Sequence, residues 1–338
     1  MLQYPVLAIS YIVVQLQLVE QHMGVRATSR GWLVPAARLS LDGDTRQRVG
    51  FVADFDLQRR LLPRVLCSAA VAEGMAGNGT CLTPPWAKPF QLGKLAVALL
   101  PAGSSPGAAM LRLHLEGQTL LDARPFAEVA FAGALPAEFR EADGVLLDAS
   151  AAHLTPTWLP ELQAWSGALI AVLQGRTPET PLELRVDDAL SGAWLVAQAL
   201  DALDGLHVEL TPPLRKAFGW LAPPRTLPRK RKDPKHFLRV ALRSEGELPA
   251  GAWLLYDPQR PPNPGLDESA AELGPTLAWR RRAVGLQVER AAERCGAKWA
   301  ILQDESEDYP GATALAERLA QRGVQSWLLR AARQMPLM

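Results

Sequence analysis

Two carboxylates two residues apart, Asp54 and Asp56, are the first candidate chemistry in this 338-residue chain. Alternate side chains of an extended segment share a face, so Asp54-Phe-Asp56 presents both acids to one side, where a cation could sit. A second acidic run, Asp304-Glu-Ser-Glu-Asp308, follows a strand-like segment, a place where loops often carry function. Both also have a plain account, as solvated charges opening a loop or helix and as an acidic cap on the helix that follows. Positive charge concentrates in one stretch: Arg225, Arg229, Lys230, Arg231, Lys232, Lys235 and Arg239 stand against the single Asp233. Such a cluster can neutralise several phosphates and release their counterions. Its prolines, Pro224, Pro228 and Pro234, suit a solvated linker equally well. Arg280-Arg281-Arg282 is a smaller patch that reads as a solvated helix face.

Other chemistries lack their residues. The histidines, His22, His114, His153, His207 and His236, form no H-x-H, H-x-x-x-H or H-E-x-x-H pattern, and no G-x-S-x-G elbow, P-loop or strand-borne G-x-G-x-x-G is present. His114 alternates with Leu113 and Leu115 and reads as the outward residue of a strand. Cys67, Cys81 and Cys295 are too scattered for a disulfide framework or a CxxC metal site, which favours a reducing compartment and a cytoplasmic location. The 36 basic and 35 acidic residues nearly cancel, so charge balance gives no argument for a polyanion partner. The apolar run near the start is interrupted by Gln15 and Gln17 and falls short of the roughly 20 residues that span a bilayer. Residues 1–26 read as an appendage, with no membrane partner expected.

These side chains need a scaffold, and the pattern changes partway along the chain. From Gly31 to about Asp148 the hydrophobic period is that of strands: Leu95 to Leu100 closed by Pro101, a hairpin of Leu111–Leu115 and Gln118–Leu121, then Glu128–Phe131 and Val145–Leu147. Beyond, Ala168 to Leu173 reads as a buried strand. Asp187 or Asp188 then caps a helix with Leu190, Ala193, Trp194, Ala197 and Leu200 on one face. Ala252–Tyr256 and Trp299–Leu302 read as strands, Ala312–Arg322 as a helix stopped by Gly323, and Val324–Leu329 as a last strand. Alternating strands and helices imply an α/β (α+β) fold.

The order of several segments is recognisable. Thr28-Ser-Arg-Gly-Trp-Leu-Val-Pro35, Val65-Leu-Cys-Ser68, Lys88-Pro-Phe-Gln-Leu-Gly93, Leu99-Leu-Pro-Ala-Gly-Ser-Ser-Pro-Gly-Ala-Ala-Met110 and Leu115-Glu-Gly-Gln-Thr-Leu-Leu121 resemble the metallo-β-lactamase-fold nucleases with a β-CASP insertion. The likeness is to the bacterial DNA-ligase-associated exonucleases, relatives of the DNA cross-link repair nucleases. It implies a four-layer αββα domain from residues 27–160 and 266–330, interrupted by a smaller α/β insertion at 161–265. In the insertion, Ala197-Gln198 stands at a Gly-Lys-Ala-Gln-like helix.

The resemblance also implies a centre of two zinc ions held by an H-x-H-x-D-H motif, a later His, a bridging Asp and C-terminal histidines. Here the motif is replaced by Asp54-Phe-Asp56-Leu-Gln58-Arg59, and an arginine stays protonated and ligates no cation. Ser104 stands where the family's Ala-Gly-His loop has its imidazole, Arg124-Pro125-Phe126 replaces Gly-Asp-Phe, and Asp304 falls where a Thr-His-Gly histidine belongs. Asp42 and Asp148 persist near the family's acidic motifs. The expectation is a catalytically lapsed exonuclease-like protein with no cofactor, acting on DNA or docking a partner such as a DNA ligase or helicase, with Arg225 to Arg239 tracking the backbone. One alternative is an active metal-dependent exonuclease whose site is rebuilt from Asp42, Asp54, Asp56 and Asp304. Another is a structural partner subunit without DNA contact.

Overall fold

A computed structural model describes residues 24–28, 31–41, 47–54, 63–75, 80–115, 117–131, 133–149, 152, 159–176, 181–221, 227, 235–246, 249–256, 274–279, 283–304 and 310–330. These hold three β-sheets and six α-helices, a mixed α/β protein. No helix among them is long and apolar enough to cross a membrane. The chain divides into two compact units, one of Met1–Thr155 with Arg282–Met338 and one of Pro156–Arg281.

The first unit stacks two sheets. Six strands follow in chain order in the smaller sheet: β1 (Arg26–Thr28), β2 (Gly31–Val34), β3 (Leu39–Ser40), β4 (Val49–Phe51), β5 (Arg64–Leu66) and β6 (Thr80–Leu82). The larger combines β7 (Phe90–Leu92), β8 (Leu95–Pro101), β9 (Ala109–Leu115), β10 (Gln118–Asp122) and β11 (Gly144–Asp148) with β17 (Trp299–Asp304) and β18 (Gln325–Arg330). Its order is β18-β17-β11-β10-β9-β8-β7. The hairpin of β9 and β10 pairs Leu115 with Gln118 across Gly117, whose φ of 84° is the left-handed turn that glycine enters without a Cβ penalty. His114 is exposed on this hairpin, as its alternation with leucines predicts.

Two cores follow from the pleat. Leu95, Val97 and Leu99 of β8 and Leu111 and Leu113 of β9 face Trp32, Val34, Leu39 and Phe51 of the smaller sheet. On the other side, Leu100, Met110, Leu121, Val145, Leu147 and Leu302 pack with Val288, Ala291 and Cys295 of one helix and Leu315 and Leu319 of another. These helices, Leu286–Cys295 and Pro310–Gln321, cover the larger sheet. The described layers of this unit are therefore sheet, sheet and helices. A short helix α1 (Ala69–Gly74) starts at Ser68, whose Oγ accepts from the Val71 amide at 3.2 Å.

The second unit carries β12 (Leu182–Val186), β13 (Leu206–Leu210), β14 (His236–Leu242), β15 (Trp253–Tyr256) and β16 (Thr276–Ala278), all parallel, in the order β13-β14-β12-β15-β16. Its helices are α2 (Leu159–Gly175), α3 (Ala189–Ala202) and α4 (Pro212–Leu221), so that the two helices of the first unit become α5 (Leu286–Cys295) and α6 (Pro310–Gln321). Asp188 caps α3 through its Oδ2, which accepts from the Ser191 amide at 2.9 Å; Leu190, Ala193, Trp194 and Ala197 are buried, but so are Ser191, Gly192, Leu195, Val196 and Ala199, so the helix is enclosed on more than the single face expected, and Leu200 is only partly buried. A Cβ on Gly192 would lie 2.7 Å from Leu214 and 2.9 Å from Val186, so α3 and α4 sit closely on the Val186 face of the sheet. The opposite face is charged: Arg239 bonds Glu209 and Glu183 at 2.8 Å each, and Arg243 pairs with Asp187 at 3.0 Å.

Two segments depart from the sequence pattern. Ala168–Leu173, expected as a strand, lies inside α2. The apolar run is one side of a longer helix, with Leu162, Ser166, Leu169 and Leu173 buried at alternating spacings of four and three while Val172 is exposed. Glu128–Phe131, also expected as a strand, is irregular, because its neighbourhood bonds a loop and not a ladder. Ala127 and Phe131 donate to the carbonyls of Ala102 and Gly103 at 2.7 and 2.8 Å.

The two helices over the larger sheet are tied by Glu289 of α5, which is 1% exposed. Arg318 Nε of α6 donates to its Oε2 at 2.7 Å, and Arg322 makes a charge contact with its Oε1 at 2.5 Å without hydrogen-bond alignment. Arg322 also pairs with Glu293. Removing the carboxylate frees two arginines that reach water, whereas removing both arginines strands a charge. Urea denaturation is expected to give a loss of about 1 kcal/mol for Glu289→Gln and about 2 kcal/mol or more for the double variant Arg318→Ala/Arg322→Ala. Equal losses would show that Glu289 is not an uncompensated charge when its partners go.

Candidate functional site

The strand ends of the first unit converge on one edge. β10, β11 and β17 are parallel and finish there at Asp122, Asp148 and Asp304. β8 is antiparallel to β9, and the loop joining them, Ala102 to Ala108, turns at the same edge. Ala53, just after β4, accepts from the Ala109 amide at 2.7 Å and brings the smaller sheet's strand ends alongside. The loop is closed tightly. Gly103 and Gly107 take φ of 82° and 75°, and a Cβ on Gly107 would lie 2.7 Å from Ala70 and 2.8 Å from Ser68 Oγ. Ser68 Oγ donates to the Gly107 carbonyl at 2.6 Å, so the cap of α1 is also the clamp on this loop.

Asp54, 5% exposed, accepts a short hydrogen bond from Ser105 Oγ. Ser104 is fully buried beside it in sequence. Asp122, 2% exposed, receives a forked pair from Arg124, with Nε to Oδ1 at 2.9 Å and Nη2 to Oδ2 at 2.7 Å. The other arm of the guanidinium donates to Gln303 Oε1 at 2.7 Å, which also accepts from Trp32 Nε1 at 2.9 Å. The fork is the strong, planar form of a carboxylate pair, and it fixes a permanent cation where β10 ends. Pro125 follows at once and offers no donor.

The structure thus brings Asp54, Ser104, Pro125, Asp148 and the backbone of Asp304 to one edge. Asp42, Asp56, Gln58 and Arg59 lie outside the described residues, as do Arg225, Arg229, Lys230, Arg231 and Lys232. Lys235 is exposed at the start of β14. Arg239, expected to track a phosphate backbone, is instead held between two carboxylates; its donated hydrogen bond to Glu209, then the Glu183 charge, push its guanidinium still further above its ordinary range. Asp122, Arg124, Gln303 and Ser105 were missed from the sequence. Asp122 and Arg124 alone carried a signal, since opposite charges two apart at a strand end share a face.

No family model matches this chain, and no curated protein matches it. Among solved structures it is similar to the crystal structure of a protein of unknown function from Enterococcus faecalis V583, at 10% sequence identity, covering 75% of this chain and 74% of that one with a TM-score of 0.48.

Proposed function

We propose that this chain is a catalytically lapsed, exonuclease-like protein of the metallo-β-lactamase fold with a β-CASP-like insertion, serving DNA repair as a nucleic-acid-binding or partner-docking component. The observation that carries the reading is the Asp122–Arg124 fork, a fixed guanidinium where the resemblance expects the bridging carboxylate's surroundings. The donor set at this edge does not fit two zinc ions. Among the described residues it offers Asp54 engaged by Ser105, Asp122 engaged by Arg124, the Asp148 carboxylate at the end of β11, and serine, proline and glutamine side chains; His114 stands on the hairpin, while His207 and His236 belong to the other unit. Imidazole-rich shells hold zinc, and hydroxyl and amide groups do not replace them. No hydrolytic step is therefore assigned to this edge.

With Arg239 committed to Glu183 and Glu209, affinity for DNA rests on Arg225, Arg229, Lys230, Arg231, Lys232 and Lys235. The test has two arms. Elemental analysis of chelator-free preparations, with digestion of 5′-labelled DNA in Mn²⁺ and in Zn²⁺, is expected to give no stoichiometric metal and no chelator-sensitive cleavage. Bound metal with cleavage would establish the alternative, an active nuclease using Asp42, Asp54, Asp56 and Asp304. Filter binding of single- and double-stranded DNA across a salt series is expected to show affinity that falls steeply with salt. Absence of binding at low salt would leave partner docking as the role.

A further inference from the structure

The cysteine pair beside the loop clamp has no part in the reading above. Parallel pairing sets Val65 of β5 opposite Cys81 of β6, and the ladder continues past β5 with the Cys67 amide donating to the Leu82 carbonyl at 3.1 Å. Val65 and Cys67 are two apart and share a face, and Cys81 lies on that same face as the partner of Val65. Leu66 points the other way, into the core between the sheets. The two cysteines are thus diagonal neighbours on the same face of adjacent strands. Both are free; Cys67 is fully buried and Cys81 is partly exposed.

We infer that Cys67 and Cys81 form a peroxide-sensitive dithiol whose closure loosens the Ala102–Ala108 loop. An oxidant reaches Cys81 first, because that residue is partly exposed whereas Cys67 is fully buried. Its thiolate attacks a peroxide oxygen, the O–O bond breaks, water leaves, and Cys81 becomes a sulfenic acid. The Cys67 sulfur then attacks the Cys81 sulfur and expels a second water. In sum two thiols and one hydrogen peroxide give one disulfide and two waters, the thiols losing two electrons and the peroxide gaining them. Burial, and then its neighbour Cys81, push the Cys67 thiol up to about 12, so this second step is slow at neutral pH and speeds as pH rises.

The register supplies the coupling. Parallel strands about 4.8 Å apart, with a rise of about 3.3 Å per residue, set positions offset by two about 8 Å apart, whereas a disulfide prefers Cα atoms about 5.5–6 Å apart. Closure must drag the backbone at Cys67. The next residue is Ser68, whose hydroxyl holds the Gly107 carbonyl and caps α1, so the drag falls on the loop at the candidate site.

The experiment uses the full chain, reduced and then titrated with hydrogen peroxide under native conditions, followed by denaturation, alkylation and peptide mapping. A Cys67–Cys81 linked peptide, with Cys295 alkylated, is expected, together with faster amide hydrogen exchange across 102–109 in the oxidised protein. Cys81→Ser and Cys81→Ala should abolish both changes while Cys67 stays alkylatable. Accumulation of Cys81 sulfinic or sulfonic acid with Cys67 still a thiol would overturn the dithiol, as would no oxidation at either sulfur. A linked peptide with unchanged exchange would overturn the coupling. None of these outcomes depends on DNA binding or on metal, so the inference and the proposed function fail separately.

Discussion

Arg124→Ala is expected to destabilise the first unit by about 3–5 kcal/mol, the range seen when one partner of a buried pair is removed. The size follows from the burial of both partners. Asp122 is 2% exposed and Arg124 is 11% exposed, so neither charge has water to fall back on. Truncating the arginine removes both arms of the fork and the bond to Gln303, leaving a carboxylate in a low-dielectric strand end. The double variant Asp122→Ala/Arg124→Ala should be less costly than Arg124→Ala, because no charge is stranded. Urea unfolding followed by circular dichroism checks both. A single-variant loss below about 1 kcal/mol would mean that Asp122 is solvated and the fork is an ordinary surface pair. The fork would then no longer occupy the edge, and the principal support for a lapsed centre would go with it.

Why this fork escaped the sequence while much of the scaffold did not is a matter of range. The β9–β10 hairpin, the Asp188 cap and the Gly323 stop depend on residues within a few positions of one another, and the structure has each where local chemistry puts it: Gly323 takes φ of 78° just after α6. Ala168–Leu173 shows the limit of local periodicity. A continuous apolar run serves a buried strand or one side of a helix, and only the further buried positions Leu162 and Ser166 decide it. Glu128–Phe131 shows another limit, since the amides of Ala127 just before it and of Phe131 at its end are satisfied by a loop some 25 residues earlier, beyond any pattern of alternation.

The candidate site divides the same way. Asp54 was visible as a residue type, but that Ser105 donates to it depends on a separation of 51 residues. Gln303 meets Arg124 across 179. Arg239 is the instructive case. Along the chain it ends a basic run, yet the parallel register places Glu209 on one neighbouring strand and Glu183 on the other directly opposite it. Register between strands brought together by helical crossovers is set by tertiary packing, so the sequence displays the cation and hides its two anions.

Gly144→Ala is the second large effect expected, and it arises from register too. Gly144 opens β11 and pairs directly with Trp299 of β17, whose ring takes the space that a side chain at 144 would fill. A Cβ there would come within 2.0 Å of the Trp299 six-membered ring, far inside contact distance, while the indole is itself packed edge-on to Trp327 with centroids 6.2 Å apart. Alanine's lower entropy cost in a strand, about 0.5–1 kcal/mol, cannot offset displacing an aromatic ring from a close-packed site. A net loss of about 3 kcal/mol is expected, at the upper end of overpacking costs. Shrinking the ring should relieve the clash, so Gly144→Ala/Trp299→Leu is expected to lose at least about 1 kcal/mol less than the two single losses added together. Strict additivity in that cycle would mean that the strand shifts to admit the methyl group. The tight seam between β11 and β17, which carries Asp148 and Gln303 to the same edge, would then be a looser joint than the Gly144–Trp299 contact implies.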